Sequence, residues 1–142
     1  MIDTKTLMER IKALVARATA AHKKMSDFSQ KTDFAQWTKD ENEMYAELDA
    51  IDKDAGPGLG IGRVLTFGVA DGSASYIVTK IRKNDVVVDW VPLCDGYFSD
   101  AVGLSRDKTQ YVVNRNTAEG RCRMGDTLNK MTPMALMTPV TA

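Results

Sequence analysis

The most constraining feature of this 142-residue sequence is a change of hydrophobic period across the segment Gly56-Pro57-Gly58-Leu59-Gly60-Ile61-Gly62. Before it, apolar residues recur at steps of three and four, as on one face of a helix; after it they alternate, as on a half-buried strand. No single regular element carries both periods, so the chain reads as α+β, helices first and sheet second. Glycine followed by proline just past a helix is a stop signal, and the remaining glycines predict a flexible junction. The segment is not a phosphate loop. It lacks G-x-x-x-x-G-K-[ST], and Ile61 and Arg63 stand where the last glycine of G-x-G-x-x-G would fall. A helix before it and a strand after it also reverse the order that phosphate binding needs.

The first helix is predicted over Thr4 to Met25, capped by Asp3, with Leu7, Ile11, Leu14, Ala18, Ala21 and Met25 on one stripe. Met8 and Val15 widen that stripe beyond a bare coiled-coil seam. A turn over Ser26 to Gln30 leads to a second helix from Phe34 to Asp52, capped by Thr32 or Asp33. Its apolar face is Phe34, Trp37, Met44, Tyr45, Leu48 and Ile51, interrupted by the charged Glu41. Residues 1–25 carry net charge +4 and residues 31–54 carry −5, so the helices are electrostatic complements suited to an antiparallel hairpin. Each exposed contact of that kind contributes at most about 1 kcal/mol.

Asp71-Gly72 is a two-residue hairpin signal, and reading outward pairs Val69 with Ala74, Phe67 with Tyr76 and Leu65 with Val78, all on one face. Asn84-Asp85 predicts a second turn that sets Ile81 opposite Val88, Lys80 opposite Asp89 and Thr79 opposite Trp90. Ile77, Ile81, Val88 and Trp90 would then share the other face. Pro92 ends the third strand, Gln110 to Asn114 supplies a fourth, and Arg121-Cys122-Arg123-Met124 a short fifth. A meander apolar on both sides must bend or be covered, which points to a small SH3-like antiparallel β-barrel. The expected organisation is a helical hairpin over 1–55, a Gly-rich junction over 56–62, a barrel over 63–130 and an apolar Met/Thr/Pro tail over 131–142.

The run Val69-Ala70-Asp71-Gly72-Ser73-Ala74-Ser75-Tyr76, followed by Val86-Val87-Val88 and Asp95-Gly96-Tyr97, resembles small proteins of bacterial plasmids and phages that carry V-A-D-G-x-A-x-Y before D-G-Y. The resemblance covers residues 62–98. It implies an SH3-like barrel and a mobile-element origin, with no established activity or catalytic residue to transfer. Ser73 departs from the pattern, in which an aromatic is frequent, and the helices lie outside it.

Chemistry-bearing residues are sparse. Lys and Arg total 19 against 19 Asp and Glu, which disfavours a strongly basic nucleic-acid coat. Two cysteines, Cys94 and Cys122, form neither a disulfide framework nor a metal motif. His22 is the only histidine, in a Lys-rich helix end where a cation suits the C-terminal dipole. A Cys94–His22 pair oriented by Asp95 would need its loop folded onto the first helix. No catalytic residue, metal or cofactor is therefore expected. The absence of a signal-like N-terminus or an apolar span predicts a cytoplasmic chain without a membrane partner.

Binding is the expected role. The leading expectation is a non-enzymatic interaction protein that self-associates as a homo-oligomer through Leu7, Ile11, Leu14, Trp37, Leu48 and Ile51 and engages a host or element-encoded protein. The alternative is a nucleic-acid accessory protein. It would use Arg106, Lys108, Arg115, Arg121 and Arg123, with Tyr97 and Tyr111 nearby for stacking. The uncharged tail, in which M-T-P occurs twice, reads as a strip that packs back onto the barrel, docks on a partner or stays disordered.

Overall fold

The structure is a computed structural model that describes residues 2–26, 33–69, 72–93, 110–120 and 137–140. Helix α1 spans Thr4–Ser26, and the Asp3 carboxylate accepts the Thr6 backbone N–H at 2.8 Å, satisfying one of the amides left open at a helix start. Helix α2 spans Phe34–Asp54, capped by Asp33 through the Gln36 N–H at 3.1 Å. Arg10 of α1 reaches Glu47 and Asp54 of α2, while Arg17 reaches Asp40 and Glu43. Contacts rising along α1 thus fall along α2, and the opposed charges of the two segments meet as partly exposed ion pairs.

Among the described residues five antiparallel strands follow: β1 Val64–Val69, β2 Gly72–Ile81, β3 Asp85–Val91, β4 Gln110–Asn114 and β5 Met137–Pro139, hydrogen-bonded in that order. A short helix α3, Arg115–Glu119, follows β4. Among the described residues β1 and β5 remain edges, so the strands form an open sheet rather than a closed barrel. The expected strand over Arg121 to Met124 lies outside the described residues. The apolar tail supplies β5, which pairs Thr138 with Val112 of β4.

Both hairpin registers differ from the sequence reading. In the first, Val69 pairs with Gly72 and Leu65 with Tyr76, two residues from the expected register, and Gly72 lies in the strand rather than in the turn. A shift of two residues preserves which face each side chain takes. Leu65, Ala74, Tyr76 and Val78 accordingly still share a face.

In the second hairpin Ile81 pairs with Val86, because Arg82 closes the turn: its backbone N–H and its guanidinium both donate to Asp85. The register then slips at Thr79, giving Val78 opposite Val88 and Tyr76 opposite Trp90. An extra residue in one strand exchanges the faces beyond it. Val88 and Trp90 therefore join Tyr76 and Val78, and the expected grouping of Ile77 with Val88 and Trp90 is overturned.

The sheet buries both faces. On one side Val64, Ile77, Val91 and Leu93 pack beneath Leu7, Ile11, Leu14 and Ala18 of α1 and Met44, Leu48 and Ile51 of α2. On the other, Leu65, Tyr76, Val78, Val86, Val88, Tyr111 and Val113 pack with Ala118 of α3. Tyr76 and Tyr111 meet there edge to face at 6.0 Å, a favoured aromatic geometry.

The junction predicted to be flexible is clamped. Arg63 is 5% exposed; its Nε donates to the Gly58 carbonyl at 2.8 Å and its Nη1 to the Asp52 carboxylate at 2.9 Å. The same Asp52 oxygen accepts the Val64 N–H at 2.8 Å. One buried carboxylate therefore ties the end of α2 to the start of β1. Gly62 turns the chain between them at φ 93°, a conformation L side chains rarely adopt.

Candidate binding groove

Helical geometry divides α1 into three faces. Leu7, Ile11 and Leu14 point into the core, Arg10 and Arg17 turn toward α2, and Met8 and Lys12 lie on the opposite flank. Beneath that flank the sheet contributes Thr79, Lys80 and Arg82, then Val87 and Asp89 of β3, Gln110 and Val112 of β4, and Val140 just after β5. Together they line an open groove of about 550 Å³.

The bulge shapes this groove. Neighbouring strand residues ordinarily face opposite sides of a sheet, yet the slip at Thr79 brings both Thr79 and Lys80 to its lining. Val140 donates its N–H to the Gln110 carbonyl at 2.9 Å, which holds the C-terminal segment against the groove. The floor is thus apolar at Val87, Val112 and Val140 and polar at Asp89 and Gln110.

Electrostatically the groove is basic with a carboxylate at its base. Arg82 is engaged by Asp85, whereas Lys12 and Lys80 are exposed and have no ion pair among the described residues. Gln110 Nε2 donates to Asp89 Oδ1 at 2.9 Å. Burial raises the Asp89 pKa above its ordinary 3.8; hydrogen bonds from Gln110 and Thr79 and the charge of Lys12 oppose that shift. Convergent polar groups over an apolar floor, with one perturbed carboxyl, suit recognition of a polar ligand with an apolar part.

The interaction residues read from the sequence lie elsewhere. Leu7, Ile11, Leu14, Leu48 and Ile51 are buried in the shared core, none more than 5% exposed, and Trp37 is half-buried. Removing one of these aliphatic side chains would cost about 2–5 kcal/mol through the cavity it leaves. Of the nucleic-acid set, Tyr111 is fully buried against Tyr76 and offers no ring for a base to stack on. Arg115 is half-buried beside the second hairpin, its N–H donating to the Asn84 carbonyl at 3.1 Å. Tyr97, Arg106, Lys108, Arg121 and Arg123 lie outside the described residues, as do Cys94, Asp95 and Cys122. His22 meets the edge of Trp90 with ring centroids 5.6 Å apart.

In the sequence Lys80, Asp89 and Gln110 read as strand residues, but none of them, nor Lys12, is assigned to a site. The signal for them is that adjacent Thr79 and Lys80 break the apolar run Tyr76-Ile77-Val78 of β2, but only the bulge gives them a common direction. Among the described residues no three His, Cys, Asp or Glu side chains gather as a metal site, and no helix is long and apolar enough to cross a membrane. No family model, curated protein or solved structure matches the chain, and the groove is therefore interpreted from its own chemistry.

Proposed function

We propose that this chain is a small non-enzymatic protein-interaction module of mobile-element origin, and that its partner docks in the groove between α1 and the sheet. The observation that carries this reading is the position of Lys12 and Lys80, two cations without ion pairs among the described residues, at an open groove with an apolar floor. Charges so placed attract a partner and fix its orientation, while burial of the apolar floor supplies affinity. In this reading Leu7, Ile11, Leu14, Leu48 and Ile51 hold α1 over the sheet rather than forming a self-association face, because exposing them would dismantle the core.

The test compares proteins retained from a bacterial lysate by the full chain with those retained by a Lys12→Glu/Lys80→Glu variant of matched thermal stability. At least one protein retained by the wild type should fall about tenfold or more with the variant, the effect of replacing two attractive charges by repulsive ones. Equal retention of every protein by both would overturn the groove as the docking site.

A further inference from the structure

We infer that the groove recognises an acidic polypeptide segment carrying an apolar side chain, rather than a phosphate backbone. This rests on the groove being the docking site and goes on to name its occupant. Lys12 on the helix and Lys80 on the sheet supply the attraction for carboxylates, and Val87, Val112 and Val140 give an apolar side chain a surface to cover. Both sources of recognition are needed, since two lysines are a small footprint for nucleic acid, whose binding draws on many neutralised phosphates.

Asp89 separates the two classes of ligand. An ionised carboxylate only accepts hydrogen bonds, and so do the oxygens of a phosphodiester, so a phosphate brought against Asp89 meets a like charge and no donor from that side chain. A peptide presents backbone N–H donors between its acidic side chains. It can satisfy Asp89 and Lys12 together, one by donating and the other by accepting. Arg82 adds little to a phosphate reading, because Asp85 already engages it. Tyr111, the described ring of the nucleic-acid set, is also engaged inward, packed on Tyr76 in the core.

The probes are a labelled eight-residue peptide of alternating Glu and Leu, its Gln-Leu counterpart, and a twelve-nucleotide single-stranded DNA. Each is titrated into the full chain by fluorescence anisotropy and by amide chemical-shift mapping. The Glu-Leu peptide should bind and shift the signals of Lys12, Lys80, Asp89 and Gln110. Its affinity should fall about fivefold for each of Lys12→Ala and Lys80→Ala and weaken with added salt. Equal binding of the Gln-Leu peptide would overturn the acidic requirement, and shifts of the same residues by DNA alone would assign the groove to nucleic acid. If the Glu-Leu peptide fails to bind while the Lys12→Glu/Lys80→Glu variant still loses its retained protein, the acidic-segment inference falls and the docking site stands.

Discussion

Substitution of Asp52 by alanine exposes how the helical and sheet halves are joined. Asp52 and Arg63 have side chains 4% and 6% exposed, and the Asp52 carboxylate serves the guanidinium at 2.9 Å and the Val64 N–H at 2.8 Å. Arg63 Nη2 is buried with no partner among the described residues, so the guanidinium has no second carboxylate to turn to. Removing one member of such a pair leaves an uncompensated buried charge, which costs about 3–5 kcal/mol. The orphaned Val64 amide is included in that range rather than added to it, because neighbouring losses overlap. For a chain of this size the melting temperature should fall by on the order of 10 °C.

Urea denaturation followed by tryptophan fluorescence gives the free energy, with an unchanged m-value showing that unfolding remains two-state. Asp52→Asn keeps an oxygen for the Val64 amide and should lose less than Asp52→Ala. The double variant Asp52→Leu/Arg63→Met removes both charges and should lose less than the sum of its single variants. A loss below about 1 kcal/mol for Asp52→Ala, or strict additivity in that cycle, would refute the clamp as the physical link between α2 and β1.

Two further substitutions bear on the same framework. Gly62→Ala forces an L side chain to φ 93° and sets its Cβ 3.1 Å from that of Ala55; a loss of about 1–2 kcal/mol or more is expected by urea denaturation, and an unchanged midpoint would contradict it. For Asp89 the folded carboxyl has a pKa above its ordinary 3.8, mainly through burial. The native state therefore keeps this proton in a window above 3.8 where the unfolded chain has released it, and stability falls as pH rises through that window. Asp89→Asn should be more stable than wild type at neutral pH, with the difference closing as pH drops below 3.8; parallel pH profiles would show that Asp89 carries no such penalty.

The helices were legible in the sequence almost to the residue, and the reason is local. Asp3 and Asp33 cap the turns that follow them, and the spacing of Leu7, Ile11 and Leu14 survives whatever the helix packs against. Strand identity in β4 was legible for a similar reason, since Gln110 to Asn114 alternates between exposed and covered positions. Register was not. Turn residues suggested Asp71-Gly72 and Asn84-Asp85, but the first hairpin already pairs Val69 with Gly72, and Arg82 bonded to Asp85 closes the second two residues short of the expected pairing. The β5 pairing joins residues far apart in sequence and had no local signature beyond an apolar M-T-P tail.

By itself the sequence determined the order of helices and strands, the charge opposition that Arg10 and Arg17 express against α2, and the apolar stripe that had to be buried somewhere. These follow from periodicity, capping and charge, which act over a few residues or along a single segment. Only the tertiary structure decided that the stripe packs on the chain's own sheet. It also decided that a Gly-rich junction is fixed by Asp52 and Arg63, and that Lys12, Lys80 and Asp89 converge. Convergence depends on how α1 crosses the strands and on one extra residue at Thr79, and a single bulge redirects side chains without altering the composition or the average period of the strand.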